Sequence, residues 1–273
     1  YDNIVNGKAI PADRTKAETL RDKCVQIINS YTSSAMSDYE KELAFHDYIV
    51  NNCRYSKKDN ESEYTAYGAL VDQIAVCSGY ASAMNLLLLC SGVESKVISG
   101  KALKENGQSN DTENHAWNQV KIDGTWYNLD VTWDDPVGEQ DILTHEFFNI
   151  NDSIMGATHF WDESRYEKCS SMRENYYQHN GAYISDKQSM ENYIKTELSS
   201  GKTRTECALN GFTVQSSARS DFLLWQATIG RAAARGHQGD FRRRIIVKVR
   251  PCRFLSCPKP PVRPVRGRHA SWN

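Results

Sequence analysis

The stretch HAWNQVKIDGTWYNLDVT, residues 115–132, predicts an antiparallel hairpin. Two runs, 115–122 and 125–132, flank Asp123-Gly124, and Asp-Gly between alternating runs is a strong signal for a tight hairpin turn. A short strand rich in β-branched residues is predicted before it, at 96–99. Because a helix followed by antiparallel strands is typical of α+β proteins, a doubly wound parallel sheet is not expected.

The helix of this arrangement is predicted just before the strands. Residues 81–90 are almost wholly apolar or small and contain no turn signal, which favours a buried helix over a strand. Gly92 suits the C-terminal capping position. Two further helices are predicted upstream, at 15–34 and 38–52, from apolar residues at three- and four-residue steps. The segment 134–162 predicts a loop.

Composition excludes some classes of protein. Of 273 residues, 40% are hydrophobic and 25% are charged, so the chain can bury a core and wholesale disorder is not expected. No apolar run is long enough to cross a membrane. The eight cysteines contain no paired C-x-x-C motif, so no zinc site is predicted. The chain begins at Tyr1 instead of Met, so we expect its start to be incomplete and leave a signal peptide open.

Charge divides the chain near residue 217. Residues 1–217 hold 20 basic and 32 acidic residues, whereas 218–273 hold 13 and 2, and 11 of those 13 are Arg. Three explanations of 218–273 stay open: a basic tail for anionic partners, a disordered linker, and a reading-frame error, which the abrupt change from Lys to Arg favours. The pattern at 182–215 predicts strand, helix and strand, so we expect 182–217 to be the start of a truncated small α/β domain.

Three residues can form a catalytic group. Cys77 lies at the predicted start of the buried helix, where peptide dipoles favour a thiolate, and Gly79 is expected to keep the approach to it open. His115 and Asp130 lie on the two hairpin strands, within a residue or two of opposition. An Asp beside a His fixes the imidazole tautomer and stabilises the imidazolium. Taken singly, each of these residue types is more often structural, and a small buried hydrophobe is the alternative for Cys77.

Four motifs resemble the bacterial transglutaminase-like superfamily. They are YGAL at 67–70, VCSGYA at 76–81, HAWN at 115–118 and WYNLDVTWDD at 126–135. The resemblance covers residues 15–165, which we expect to form a transglutaminase-like catalytic domain. It implies an α+β, papain-like transglutaminase core, in which a central helix packs on an antiparallel sheet.

The resemblance also implies the roles of the three residues. Cys77 is the expected nucleophile, His115 the general base and acid, and Asp130 the residue that orients His115. No metal and no other cofactor is expected. Two further histidines, His46 and His145, are interpreted as structural.

Other residues are candidates for the oxyanion hole or the substrate-lining surface. The backbone N–H of Cys77 is the natural first oxyanion donor, and the Gln73 amide is a candidate second, although a surface-loop role is the alternative. Tyr80 can present its hydroxyl near the thiol. Trp117 is expected either to pack beneath the site or to shield an acyl-enzyme from water.

The function predicted from these residues is cysteine-dependent acyl transfer or hydrolysis at a protein or peptide amide, through a thioester. An amine acceptor gives crosslinking and water gives deamidation or proteolysis, and the sequence does not decide between them. The alternative is a non-catalytic protein-binding module on the same scaffold, against which the presence of all three residues argues. No nucleic-acid partner is expected. Resemblance suggests a secreted or cell-surface location.

Overall fold

The structure is a computed structural model, and it describes residues 2–8, 14–56, 60–104, 111–135, 143–184, 188–189, 192–193, 196, 199–200, 204–209 and 246–248. Helices and an antiparallel sheet combine in this part of the chain, which confirms the predicted α+β class.

Most of the helices precede the strands of the central sheet in the sequence. They are α1 (Asp2–Val5), α2 (Thr15–Tyr31), α3 (Asp38–Asn52), α4 (Cys77–Cys90), α5 (Asp152–Met155) and α6 (Tyr176–His179). The predicted bounds of α3 are confirmed, because Ser37 starts the helix with a capping box: its hydroxyl accepts from the Glu40 N–H, and the Glu40 carboxylate accepts from the Ser37 N–H at 2.7 Å. Short 3-10 helices occupy Glu61–Tyr64 and Glu163–Arg165, and a π-helical turn occupies Gly68–Asp72.

One four-stranded antiparallel sheet forms the centre, in the order β5-β4-β3-β6. The strands of the described residues are β1 (Arg54–Tyr55), β2 (Ile74–Ala75), β3 (Ser95–Leu103), β4 (Thr112–Ile122), β5 (Thr125–Leu129), β6 (His159–Phe160), β7 (Tyr183–Ile184), β8 (Arg204–Glu206), β9 (Ala208–Leu209) and β10 (Ile246–Lys248). The hairpin turn is confirmed: Asp123 and Gly124 have φ of 47° and 78°, as a type I′ turn requires.

The central helix α4 packs on β3 and β4, and most of its apolar residues are buried, with Met84, Leu86 and Leu87 fully buried. The helix begins at Cys77, four residues before the apolar run that predicted it. Gly92 follows its end with φ of 81°, which confirms the predicted C-terminal cap. The Asn118 side-chain amide donates to the Ala81 carbonyl at 3.0 Å and so ties β4 to α4.

Gly79 has a different role from the one expected. It is buried, and a Cβ at this position would lie 2.4 Å from the Glu63 carbonyl oxygen and 2.7 Å from the Ala75 Cβ. The glycine therefore lets the first turn of α4 approach the 3-10 helix Glu61–Tyr64 closely. The expectation that Gly79 keeps the approach to the thiol open was wrong, because the space that a side chain would take at this position is next to Glu63 and Ala75.

The described residues of the segment 134–162 contain more secondary structure than the predicted loop. It contributes α5 and the edge strand β6, which pairs Ala102 with His159 and Lys101 with Phe160. A two-residue strand is too short to produce a periodic signal in the sequence.

The C-terminal part is described only in pieces. Strand β7 pairs in parallel with β9, and β10 pairs in parallel with β8. Much of the segment 182–215, which predicts strand, helix and strand, lies outside the described residues, so the domain limits at 165, 182 and 217 stay predictions. Among the helices that the structure describes, none has the length and apolarity needed to cross a membrane.

Candidate active site

The candidate nucleophile lies at the first residue of α4. Val76 precedes it in an extended conformation and places no side-chain cap on the helix. Cys77 is half-buried, and its thiol lies close enough to the His115 imidazole to help raise the pKa of that ring. Cys77 therefore lies at a helix N-terminus and beside an imidazole, an adjacent base of the kind that activates a cysteine nucleophile.

The hairpin brings His115 and Asp130 together as predicted. Asn118 pairs with Leu129, and Asp130 follows directly, so its side chain reaches back along β4 to His115. The distance from His115 Nε2 to Asp130 Oδ2 is 2.7 Å. The other carboxylate oxygen, Oδ1, accepts the backbone N–H groups of Thr132 and Trp133 at 3.0 and 3.1 Å. These two backbone donors thus fix the orientation in which the Asp130 carboxylate contacts the His115 imidazole.

The electrostatics of this pair favour a charged imidazole. Burial acts to lower the pKa of His115, but the charge and hydrogen bond of Asp130, with a smaller effect from Cys77, raise that pKa to about 10. Burial in turn acts to raise the pKa of Asp130, and the two neighbouring histidines, His115 and His159, hold it well below its usual range. The Asp130 carboxylate therefore favours the imidazolium form of His115.

A second histidine on Asp130 was not predicted from the sequence. His159 Nε2 lies 3.0 Å from Asp130 Oδ2, the same oxygen that His115 contacts, and His159 Nδ1 lies 2.8 Å from Thr158 Oγ1. Burial lowers the pKa of His159 more than Asp130 raises it, so this ring is neutral. Its position on β6 depends on pairing with β3, and no local motif marks it.

Aromatic rings surround the paired histidines. Trp117 is buried and roughly parallel to the His115 ring, with centroids 6.2 Å apart, and Trp133 lies 6.0 Å from the same ring. Trp133 also lies 4.5 Å from the His159 ring. This placement agrees with packing of Trp117 beneath the site.

The two other candidates for the lining have distinct surroundings. Tyr80 is fully buried on α4, and its hydroxyl donates to Asp135 Oδ2 at 2.5 Å. That hydrogen is therefore committed to a carboxylate. Gln73 is exposed, ends the π-helical turn with φ of 58°, and lies four residues before Cys77.

A second cluster of charged groups lies between α3 and the chain after β5. His46 Nδ1 and His145 Nε2 each lie 2.9 Å from Asp47 Oδ1, and His46 Nε2 lies 3.2 Å from Asp134 Oδ2. Burial acts to lower the pKa of His46, but hydrogen bonds to Asp134 and Asp47 raise it to about 9. Both histidines are buried. The cluster ties α3 to the turn that contains Asp130.

Two groups of side chains offer the atoms that a transition metal takes. Within each group the ligand atoms lie within 4.8 Å of one another: His46, Asp47 and His145 in the first, and His115, Asp130 and His159 in the second. Imidazole and carboxylate are common zinc ligands. In both groups, however, the histidine nitrogens already hydrogen-bond the carboxylate, so a metal would have to displace a proton.

The surroundings of the cysteines predict that their thiols differ in reactivity. Burial raises the pKa of Cys24 and of Cys53 to about 12 in each case, and it also raises the pKa of Cys90 and Cys169. We therefore expect iodoacetamide at pH 6–7 to modify Cys77 first among the six cysteines that the structure describes. Peptide mapping after brief labelling measures this, and faster labelling of Cys24 or Cys207 would contradict the assignment.

Comparison with known proteins matches part of the chain to the transglutaminase-like superfamily. Residues 25–131 match the model of the transglutaminase-like superfamily. The chain is 26% identical over 150 residues to the kyphoscoliosis peptidase of Mus musculus, which covers 52% of this chain and 22% of that protein. The Homo sapiens protein of the same name is 26% identical over 143 residues, or 49% of this chain and 21% of that protein. The chain thus spans about a fifth of the length of these curated relatives.

Two solved structures show partial likeness. A proposed cysteine protease from Cytophaga hutchinsonii has a TM-score of 0.35 and 21% identity, over 41% of this chain and 37% of that chain. A TGase has a TM-score of 0.37 and 17% identity, over 51% of this chain and 37% of that chain.

Proposed function

Because residues 25–131 carry the core of the transglutaminase-like superfamily, a cysteine-enzyme type of fold, we propose that this chain acts on protein or peptide amides through a thioester. Cys77 is the nucleophile, His115 the general acid and base, and Asp130 the residue that orients His115. One observation carries the proposal: His115 hydrogen-bonds the buried Asp130 carboxylate at 2.7 Å and lies close enough to the Cys77 thiol for that thiol to raise the pKa of the imidazole.

The reaction follows from the charges of the site. His115 first takes the proton of the Cys77 thiol and becomes the imidazolium, and the resulting thiolate attacks the amide carbonyl carbon. A C–S bond forms, and the carbonyl π-electron pair moves to oxygen. The His115 imidazolium then gives its proton to the leaving nitrogen, the C–N bond breaks, and ammonia or an amine leaves a thioester behind. Water or a second amine next attacks the thioester, while neutral His115 takes a proton from it, and the Cys77 thiolate leaves.

Neighbouring groups support the charged intermediate. The backbone N–H of Cys77, at the start of α4, is the first proposed oxyanion donor, and the side-chain amide of exposed Gln73 is the second. Tyr80, a lining candidate from the sequence, is fully buried and donates its hydroxyl hydrogen to Asp135, so no contact with substrate is proposed for it. Trp117 supports the His115 ring from the core side.

The identity of the acceptor needs an experiment that separates three products. Purified full-length chain is incubated with glutamine peptides and a denatured protein, with and without a labelled primary amine. Amine incorporation indicates crosslinking, ammonia without incorporation indicates deamidation, and new amino termini indicate proteolysis. The name peptidase on the two curated relatives favours the last. If Cys77→Ala gives the same products at the same rates, the proposal fails.

The alternative is a non-catalytic binding module on this scaffold. The buried Asp130 carboxylate beside the His115 imidazole argues against this alternative. Burying charged groups costs free energy, and a binding surface does not require such a pair. The same assay separates the two, because a binding module forms no product in any of its arms.

A further inference from the structure

We propose that His159 is a positioning residue for the catalytic pair. It shares Asp130 Oδ2 with His115 and so limits how strongly Asp130 stabilises the protonated form of His115. This inference rests on the proposed function, since it assigns the second imidazole of that same site. His159 lies on the edge strand β6, which pairs with β3, and from there its ring contacts Asp130.

The hydrogen bonds of Asp130 leave no room for another donor. A carboxylate has about four lone-pair sites. Two backbone N–H groups, of Thr132 and Trp133, use Oδ1, and the two imidazole nitrogens of His115 and His159 use Oδ2. Asp130 is fully buried, so solvent does not replace a donor that is removed.

The state of His159 follows from its partners. An ionised carboxylate only accepts, so Nε2 of His159 carries the hydrogen that points to Asp130. A neutral His159 ring that donates from Nε2 has an unprotonated Nδ1, which accepts the Thr158 hydroxyl hydrogen at 2.8 Å, a shorter contact than the 3.5 Å from the same hydroxyl to the Met155 carbonyl oxygen. Thr158 therefore holds the tautomer in which His159 donates to Asp130 without adding a charge.

Sharing one oxygen affects the proton on His115. Each donor draws electron density from Oδ2, so the bond from His159 weakens the pull of Asp130 on the imidazolium of His115. Within the described residues, the titratable groups that face His115 are Cys77 on α4, Asp130 after β5 and His159 on β6. A general acid transfers its proton fastest when its pKa is close to the working pH. Without His159, the imidazolium is a slower donor to the leaving nitrogen.

Two substitutions at one position separate donation from packing. His159→Phe keeps a ring beside Trp117 and Trp133 but lacks the N–H, whereas His159→Gln places an amide N–H near the former Nε2. We would titrate the His115 imidazole by NMR in the full chain carrying Cys77→Ala, because losing the thiol removes its share of the raised pKa and brings the titration to milder pH. The signal is assigned by its absence in His115→Gln.

We expect His159→Phe to raise the titration midpoint of His115 by about 0.5–1 pH unit and His159→Gln to reverse at least half of that rise. With Cys77 present, His159→Phe should lower kcat about tenfold and leave KM nearly unchanged. An unchanged or lower midpoint in His159→Phe overturns the inference.

Two further results keep the test decisive. If His159→Phe does not fold, Thr158→Val is titrated instead; it removes the hydroxyl that fixes the His159 tautomer, so a smaller rise supports the inference and no rise overturns it. If the wild type turns over no amide while the midpoint rises as expected, the proposed function fails and the role of His159 on Asp130 stands.

Discussion

Asp130→Asn is expected to lower the rate of amide turnover by about 10–10³-fold while the chain stays folded. Asn retains an oxygen for the backbone N–H groups of Thr132 and Trp133, but it turns an NH₂ group toward His115 and His159. The imidazolium loses its counter-charge, and His115 is driven to the wrong tautomer. In serine proteases the corresponding change costs about 10⁴-fold, and a Cys–His pair that is already ionised depends on it less.

The stability of Asp130→Asn should fall by roughly 1–3 kcal/mol, because buried donors lose a charged acceptor. A folded domain of ordinary stability tolerates that loss, so activity should fall far more than the folded fraction. The measurements are initial rates of amide turnover and urea unfolding of the same preparations. Retention of more than about half of the wild-type rate by Asp130→Asn would show that Asp130 does not orient His115.

Asp134→Asn is the matched control for this change. It makes the same substitution in a buried aspartate four residues further on, which pairs with His46 instead of His115. We expect a similar loss of stability and little loss of activity in the folded protein. An equal loss of activity in both variants would mean that activity depends on any buried carboxylate in this turn. The specific role of Asp130 in orienting His115 would then be rejected.

Gly79→Ala is expected to destabilise the fold by about 2–3 kcal/mol or more and to abolish most activity. The added Cβ would lie 2.4 Å from the backbone oxygen of Glu63, so the first turn of α4 or the 3-10 helix must shift. Overpacking of this kind costs typically about 1–3 kcal/mol, and here the contact is with backbone, which yields less than a side chain. Any shift of the helix start also moves Cys77 away from His115.

Ser82→Ala, one turn further along α4 at a half-buried position, is the control for Gly79→Ala. It adds no atom, and we expect its free energy of unfolding to stay within about 0.5 kcal/mol of wild type. Thermal and urea unfolding give both values. A Gly79→Ala variant as stable as Ser82→Ala would contradict the close packing described for this helix turn.

Local signals explain why part of the fold was predictable. The hairpin follows from Asp123-Gly124, whose backbone needs the left-handed conformation that these residue types tolerate. The bounds of α3 follow from the capping box at Ser37. The apolar run that predicted α4 begins only at Ala81, but the placement of Cys77 at the start of the helix is confirmed.

Non-local contacts explain what was missed in the site. His115 and Asp130 are joined by a hairpin, whose register can be counted from its turn. His159 meets Asp130 only because β6 pairs with β3, and two residues of edge strand leave no trace in hydrophobic periodicity. Gly79 was misinterpreted for a related reason: its neighbour is the Glu63 carbonyl, which the sequence does not place beside it.

The central claim is that Cys77 carries the acyl group, and mass spectrometry of acid-quenched reactions tests it most directly. Full-length chain is mixed with the amide substrates that it turns over, quenched within seconds, and digested. We predict a mass increment on the peptide that contains Cys77, removed by hydroxylamine as thioesters are, and absent from Cys77→Ala, which should be inactive. Undiminished turnover by Cys77→Ala, or an acyl group on a different residue, would contradict the claim.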